Sequence, residues 1–363
     1  MDSVLNAAFI GCGAIAQKKH LPLAAEDPRL HIKALYNPTR AKAEDCKAQF
    51  GSSDTAVVES ADEIFARDDV DVVFISSPNH THADYSIAAL QSGKSVICEK
   101  PMALTSEQAE AMLDASIRHG RLLHVSYQNR YTAQAQYAKR LAEEGFLSQV
   151  YYAKAYALRR RAVPTWGNFL NKHQQGGGPL MDIGSHAIDL ALWLSDCFEP
   201  EYAAGTAYDY IGKRGSDANH WGSWDVEKYT IEDCALGFVV MKNGMTLSVE
   251  SSYALNVAEE KEASVDLYGV TGGIELREKT GLTMIHELGG RMCVSTNQIQ
   301  ETFRSLTPKD RAMNASQREH EAFMDLLMAG KTVDPGAAQA VQVSRIVEGL
   351  YASSESRRPW FFK

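Results

Sequence analysis

Chemically useful side chains are most concentrated between Gly176 and Asp189, where the chain reads GGGPLMDIGSHAID. Three glycines and Pro179 lead into an apolar run that carries Asp182, His186 and Asp189. On a helix these positions stand at i, i+4 and i+7, so their side chains share one face. Pro179 suits a first helical turn, where its missing N–H leaves nothing unpaired. Glycines let the backbone take unusual dihedrals and approach a ligand closely. A carboxylate one turn before an imidazole suits proton transfer: histidine titrates near neutrality, and a nearby acid orients it and raises its basicity. The plainer reading is that Asp182 complements the helix dipole and His186 is structural.

The elements around this stretch favour the chemical reading. Ala7 to Ile10 is a short apolar run that enters Gly11-Cys12-Gly13-Ala14-Ile15-Ala16. This is G-x-G-x-x-A between an expected strand and an expected helix. The first glycine permits a tight turn, the second lets the backbone reach a pyrophosphate, and the small third residue lets the helix pack on the strand. The phosphates then lie at a helix N-terminus. The second strand, His31 to Tyr36, ends at Asn37, where an acid commonly reads the ribose of NAD. Asn37 removes the carboxylate that would repel a 2′-phosphate, and Arg40 is placed to pair with one. The cofactor is therefore expected to be NAD or NADP. Arg40 facing solvent is the alternative.

Asp71 to Ser76 is a continuous apolar strand of the kind buried in a parallel sheet. It ends in Ser77-Pro78-Asn79-His80-Thr81-His82, beyond the carboxyl end of a strand, where doubly wound sheets bind ligands. Pro78 would fix a tight turn there, with a cis bond as one option. Ser95 to Cys98 delivers Glu99-Lys100-Pro101. Lys100 is placed to donate to a substrate oxygen, with Glu99 holding it. Ser106 is the expected cap of the next helix, and Leu122 to Ser126 the next strand.

The pattern then changes. Val150 to Leu158, Cys234 to Met241, Met245 to Tyr253 and Ala263 to Gly269 read as strands, and Asn243-Gly244 signals a hairpin. The second half is expected to be a mostly antiparallel sheet with helices on one side. Gly205 to Lys228 reads only as loop.

The chain has 363 residues, a net charge of −9 and 45% hydrophobic residues. That is two ordinary globular domains, without a basic footprint for nucleic acid or an anionic membrane. No apolar run is long enough to span a bilayer, and the N-terminus lacks the basic start of a signal peptide. Six cysteines stand far apart with no C-x-x-C pair, as reduced cytoplasmic thiols do. No clustered ligand spacing appears, so no metal is expected; His80 and His82 form a short loop pair that shapes the cofactor mouth.

GCGAIA, SSPNHTH, CEKP, QNRY and GGGPLMDIGSHAIDLALWL occur in the order found in the Gfo/Idh/MocA family of NAD(P)-dependent oxidoreductases, which this chain resembles over essentially its whole length. The resemblance implies an α/β fold: a Rossmann doubly wound parallel sheet over residues 1–128, then an α+β domain with a large, open, mostly antiparallel sheet over 129–363. It implies a substrate-binding and oligomer-forming role for that second domain, hence a homo-oligomer, dimer or tetramer. Lys100 matches the active-site lysine. Asp182 and His186 match the pair lining the substrate pocket, with His186 as general base. Ser77, Pro78, Asn79, His82, Glu99, Lys100, Pro101 and Asn129 are expected at the cofactor, with Gly11 to Ile15. Arg130, Arg159, Arg161 and Trp166 are expected at the substrate, a sugar, cyclitol or related polyol. Arg159 and Arg161 would bind a carboxylate or phosphate, and Trp166 would stack on a sugar face; strand-end arginines pointing to solvent are the alternative. The implied reaction is hydride transfer between a CH–OH group and the nicotinamide. Two other readings use the same residues: a redox-neutral enzyme with tightly bound NAD (elimination, epimerisation or glycoside cleavage), and a non-enzymatic nucleotide or sugar sensor. A pure sensor has no need of Lys100, Asp182 and His186 together.

Overall fold

A computed structural model describes residues 4–277, 281–297 and 313–363. The chain divides into two compact units: Met1–Ser126 with Ser316–Val341, and Tyr127–Ala315 with Gln342–Lys363.

The first unit is built on six strands: β1 (Leu5–Ile10), β2 (Leu30–Tyr36), β3 (Ala56–Val57), β4 (Val72–Ile75), β5 (Ser95–Glu99) and β6 (Leu123–Ser126). Every pair is parallel, in the order β3-β2-β1-β4-β5-β6. That order reverses between β1 and β4, the point at which such sheets bind dinucleotides. β4, β5 and β6 are buried along their whole length, as strands covered on both faces must be. Phe9 stacks on Phe74 with ring centroids 4.5 Å apart, and Phe323 meets Phe74 edge-on at 6.1 Å. Phe323 comes from helix Ala315–Met328 and joins the same core as Met324. The return of Ser316–Val341 to this unit is therefore a packing event. A single cut after residue 128 does not capture it.

Local signals worked where the backbone had one good option. Gly120 takes φ +58° and closes helix Ser106–His119, as a left-handed C-terminal glycine should. Its N-cap is Thr105, one residue before the expected Ser106; the Thr105 hydroxyl accepts from the Gln108 N–H at 3.2 Å. The cis bond lies at Lys100–Pro101, where none was expected.

The second unit holds β7 (Val150–Leu158), β8 (Pro200–Tyr208), β9 (Cys234–Met241), β10 (Thr246–Ser252), β11 (Lys261–Gly269), β12 (Gly272–Arg277), β13 (Gly281–Leu288), β14 (Arg291–Asn297) and β15 (Trp360–Phe361). Their order is β14-β13-β12-β11-β7-β10-β9-β8-β15. Among the described residues of this sheet, only β7 and β10 pair in parallel. Asn243-Gly244 turns β9 into β10, with Gly244 at φ +87°. Part of the stretch expected as loop is in fact β8 and the short helix Tyr210–Arg214. Helix Ser185–Ser195 packs on β7 and β11 and carries His186.

Candidate active site

In the first unit the glycine loop is shaped by two different needs. Gly11 has φ +97°, and a Cβ there would lie 2.6 Å from the backbone of Ser76 and Ser77. Only glycine lets the ends of β1 and β4 come this close. A Cβ on Gly13 would meet nothing within 4 Å. The protein's own packing does not require glycine there, and the open space fits a pyrophosphate. Ile15 is apolar and 39% exposed on the rim, with exposed Ala14 before it.

Asn37 turns towards this loop. Its Oδ1 accepts from the Cys12 N–H at 3.0 Å, and its Nδ2 donates to the Thr39 carbonyl at 3.0 Å. Cys12, expected at the cofactor, thus gives its backbone N–H to Asn37. Burial pushes the Cys12 thiol up to about 12, so it stays protonated. Arg40 departs from expectation as well. It is ion-paired with Glu44 at 2.9 Å and with Glu59, so carboxylates surround the group expected to take a 2′-phosphate.

The helix after the loop opens as a π-turn, Ala16–His20, a rare form that often accompanies function. It turns Lys19 and His20 inward onto Glu99. Lys19 Nζ lies 3.1 Å from Glu99 Oε1 and 2.8 Å from Glu319 Oε2. His20 Nε2 lies 2.7 Å from Glu99 Oε1, and Glu99 Oε2 accepts the Lys100 N–H at 3.2 Å. Lys19 ion-pairs with Glu99 and His20 hydrogen-bonds it, two contacts that the sequence did not disclose beside the one from Lys100. Burial alone would raise the Glu99 carboxyl, but Lys19 and His20 outweigh it and hold the group well below the usual carboxylate range. On the next element, His124 Nδ1 lies 2.6 Å from Asp334 Oδ2. Burial opposes its charge, yet Asp334 and Glu319 raise it to about 9. Lys100 follows this anchored carboxylate at the end of β5, half-buried.

His82 was expected to touch the cofactor. It is 1% exposed, and its ring nitrogens lie 2.8 Å from the Pro101 carbonyl and 2.9 Å from the Ser77 carbonyl. It ties the Ser77 loop to the Lys100–Pro101 corner. Pro101 is buried beside it. Ser77, Pro78 and Asn79 retain surface exposure, and Asn79 opens a short turn, Asn79–Thr81.

In the second unit, the expected helix from Pro179 begins as another π-turn, Leu180–Gly184, and becomes α-helical at Ser185. Asp182 sits in the π-turn and His186 in the first α-turn. Tyr253, fully buried, donates its hydroxyl to Asp182 Oδ2 at 2.5 Å. Burial and the Asp182 carboxylate push the Tyr253 phenol well above its ordinary value, so it remains a donor. The His186 ring meets Tyr127 edge-on, with centroids 6.1 Å apart.

The glycine run has a cause that the sequence did not disclose. Glu232 Oε2 accepts from the Gly178 N–H at 2.8 Å, and its Oε1 accepts from the Leu180 N–H at 3.1 Å and the Tyr351 hydroxyl at 2.7 Å. A Cβ on Gly177 would lie 2.1 Å from the Tyr351 oxygen, and one on Gly178 would lie 2.2 Å from the Glu232 carbonyl. Glu232 and Tyr351 thus hold the start of the turn that carries Asp182. Desolvation raises the Glu232 carboxyl even with these donors.

Asp189, Arg130, Arg159 and Arg161 stand otherwise than the sequence suggested. Asp189 does not join Asp182 and His186. It is fully buried and takes Arg130 in a two-point ion pair, with Nε 2.8 Å from Oδ2. Arg130 was expected at the substrate; it is a buried partner flanked by Tyr127 and Trp193. Arg159 Nε donates to Glu262 Oε2 at 2.8 Å while the guanidinium lies over Trp221 and Tyr253. Arg161 donates to Asn256 Oδ1 and to the Arg160 carbonyl, both at 2.6 Å. Acceptors of the protein thus engage both arginines expected for an anionic substituent. Trp166 is 47% exposed. His186 and Asn129 line one cavity of about 250 Å³ with Gln128, Glu262 and Arg277.

Among the described residues, no group of three or more His, Cys, Asp or Glu side chains could hold a metal ion. No described helix is long and apolar enough to cross a membrane.

Comparison with known proteins places these features in context. Residues 5–127 match a model described as an oxidoreductase family with an NAD-binding Rossmann fold, and residues 139–361 match the C-terminal α/β domain of the same family. D-glucoside 3-dehydrogenase of Escherichia coli (strain K12) is 30% identical over 355 residues, 98% of this chain and 97% of the relative. Levoglucosan dehydrogenase of Pseudarthrobacter phenanthrenivorans is 31% identical over 389 residues, again 98% and 97%. A solved levoglucosan dehydrogenase in complex with NADH and levoglucosan superposes with a TM-score of 0.83 at 22% identity, covering 98% of this chain and 99% of that one, which shows a shared fold.

Proposed function

We infer the activity from one premise: the chain belongs to the Gfo/Idh/MocA family of oxidoreductases, whose models match both of its domains. The reading is a dehydrogenase that moves a hydride between a secondary CH–OH group of a sugar ring and NAD, with His186 as general base. Two relatives aligned over nearly their whole length carry the names D-glucoside 3-dehydrogenase and levoglucosan dehydrogenase, so a glucoside is the first substrate class to test. The observation that carries the assignment of roles is the hold on Asp182, a carboxylate fixed by a buried tyrosine one turn before His186.

Bound NAD supplies the acceptor for the hydride. The loop Gly11 to Ile15 and the helix start behind it would hold the pyrophosphate. Asn79, Pro101 and Asn129 would lie towards the nicotinamide end. A ring nitrogen of His186 takes the proton of the substrate hydroxyl, and Asp182 keeps the imidazole oriented. Lys100 gives a charge-assisted hydrogen bond to the oxygen as negative charge grows on it. Proton removal contributes roughly a hundred- to ten-thousandfold. NAD is favoured over NADP, because Glu44 and Glu59 already neutralise Arg40 and would repel a 2′-phosphate.

Two coarser assignments go with this. The cytoplasm suits a chain whose six cysteines are all free. A homo-oligomer is proposed through one end of the second unit's sheet, where Phe238 on β9 and Phe361 on β15 both meet Tyr202 on β8, and Leu236, Phe238 and Phe361 are 41–67% exposed. Such a patch calls for a partner, and Phe238→Lys should lower the mass measured by light scattering.

The test is reduced-nicotinamide absorbance with a panel of glucosides and either nucleotide. NAD should outperform NADP in kcat/KM. His186→Ala should lose about two to four orders of magnitude in rate while still binding NAD. Unchanged turnover in that variant removes the role given to His186. Product formed without added nucleotide and without reduced cofactor would instead identify a redox-neutral reaction.

A further inference from the structure

Beyond the cavity at His186 lies a second, larger cleft of about 720 Å³ in the same unit. Glu262 and Arg277 line both spaces, so the two are neighbours across a shared wall. Part of the lining of the larger cleft is aromatic. Trp221 forms part of it at 37% exposure, and Trp166 stands against Trp221 at 84° with ring centroids 4.8 Å apart. Two half-exposed indoles at a right angle make an open corner on the surface.

This corner is built, not incidental. Asn219, 7% exposed, clamps the two loops that carry the tryptophans. Its Oδ1 accepts from the Val163 N–H at 2.8 Å, and its Nδ2 donates to the carbonyls of Val163 and Gly222 at 3.0 and 2.7 Å. The Thr165 hydroxyl adds a bond to the Trp221 carbonyl at 2.9 Å. Arg159, fixed by Glu262, lies 5.4 Å from the centroid of the Trp221 ring. Arg159, His220 and Trp166 cover parts of the Trp221 ring, and the indole surface still open to water, at Trp166 and Trp221 together, is what a ligand would meet. The rest of the cleft presents guanidinium and carboxylate groups, Arg160, Glu260 and Glu262 among them. Flat apolar faces beside paired charged donors and acceptors match one ligand chemistry well: a pyranose, with apolar C–H faces and a rim of hydroxyls.

We propose that the Trp166–Trp221 corner and its cleft form a second carbohydrate subsite, so that the substrate is a glycoside whose aglycone is itself a sugar ring. This rests on the sugar-oxidoreductase reading above and extends it from the oxidised ring to the group beyond its glycosidic bond. The hydroxyl to be oxidised faces His186, and the second ring lies past Glu262 and Arg277, stacked in the aromatic corner.

The experiment compares kcat/KM for methyl α- and β-D-glucopyranoside with that for glucosyl-glucose disaccharides of both anomers and each linkage. The variants are Trp166→Ala, Trp221→Phe and Trp221→Ala. At least one disaccharide should exceed its methyl glycoside about tenfold in the wild-type protein, and Trp166→Ala should remove most of that ratio. Trp221→Phe keeps an aromatic face and should keep more of the ratio than Trp221→Ala. A methyl glycoside used as well as every disaccharide overturns the proposal, as does a ratio that Trp166→Ala leaves unchanged. Tryptophan fluorescence titrated with the same disaccharides separates this inference from the activity beneath it. Saturable quenching that Trp166→Ala abolishes supports the subsite even if no sugar reduces NAD, in which case only the dehydrogenase reading falls. Absence of any saturable change overturns the subsite.

Discussion

Replacing Tyr253 by phenylalanine isolates the bond on which the roles of Asp182 and His186 depend. The hydroxyl donates to Asp182 Oδ2 at 2.5 Å from a fully buried position. Phenylalanine keeps the ring and its contact with Arg159, whose guanidinium carbon is 5.7 Å from the ring centroid. The change therefore deletes one oxygen and little packing. A hydrogen bond to a charged group contributes about 1.5–3 kcal/mol. If that energy positions Asp182 for the reaction, kcat/KM with the best glucoside falls by about 10- to 150-fold, at 1.36 kcal/mol per decade. The affinity for NAD, measured by calorimetry, should not change, because Tyr253 and the glycine loop belong to different units. Stopped-flow single turnover should show the loss in the chemical step. A Tyr253→Phe protein that keeps kcat/KM within a factor of two, beside an inactive His186→Ala, would falsify the claim that Tyr253 sets up Asp182.

Gly177→Ala places a Cβ 2.1 Å from the Tyr351 oxygen, so Tyr351 must leave Glu232; we expect about 2–4 kcal/mol of destabilisation by urea titration and a loss of activity. In a Tyr351→Ala background the same substitution should cost under about 1 kcal/mol, and an equal cost there would reject the steric account. His124 predicts a falling stability in mild alkali. Its folded value, raised to about 9 from 6.5, means the charged imidazolium stabilises fully below about pH 6.5 and is lost as pH rises through 9. The loss is roughly 3 kcal/mol, read as a urea midpoint that declines over that window and declines less in His124→Asn. Glu319, held at about 2, behaves oppositely: its contribution is present above about pH 4.5 and disappears as pH falls towards 2.

What could be read from the sequence was what depends on short-range pattern. Buried parallel strands need continuous apolar runs, and β4 and β5 show them. A φ above zero favours glycine, and Gly11, Gly120 and Gly244 mark their turns. The residues proposed for proton transfer were legible because a carboxylate and an imidazole four apart stand out in an apolar segment. Their supports were not. Tyr253, Glu232 and Tyr351 lie far from Asp182 in sequence, and nothing local says that they reach it. The only trace of them was the glycine run, whose missing Cβ atoms record the approach of Tyr351 and Glu232. The arginines were misjudged for a related reason. A guanidinium reads as a ligand for an anion, but Arg130 and Arg159 meet Asp189 and Glu262 across separations of 59 and 103 residues. β8 escaped notice because its small residues, Ala203 to Ala207, are matched to a helix: Gly205 and Gly237 admit Leu350 at 3.0 and 2.7 Å from the positions their Cβ atoms would take. Both π-turns were missed, since no residue pattern distinguishes them from an α-turn.

The helix Ala315–Met328 carries a consequence for how the protein is made. A ribosome delivers all six strands of the parallel sheet before it reaches Phe323 and Glu319. Until then Phe74 lacks one of its two edge-on neighbours, and the Lys19 ammonium lacks one of its two carboxylates. The nascent sheet is therefore an incomplete intermediate, exposed during the synthesis of some two hundred further residues. Expressing residues 1–128 alone should yield an aggregation-prone fragment, and adding residues 313–341 on a second plasmid should recover soluble material. Early translation thus produces a sheet whose last structural component is encoded some two hundred codons downstream.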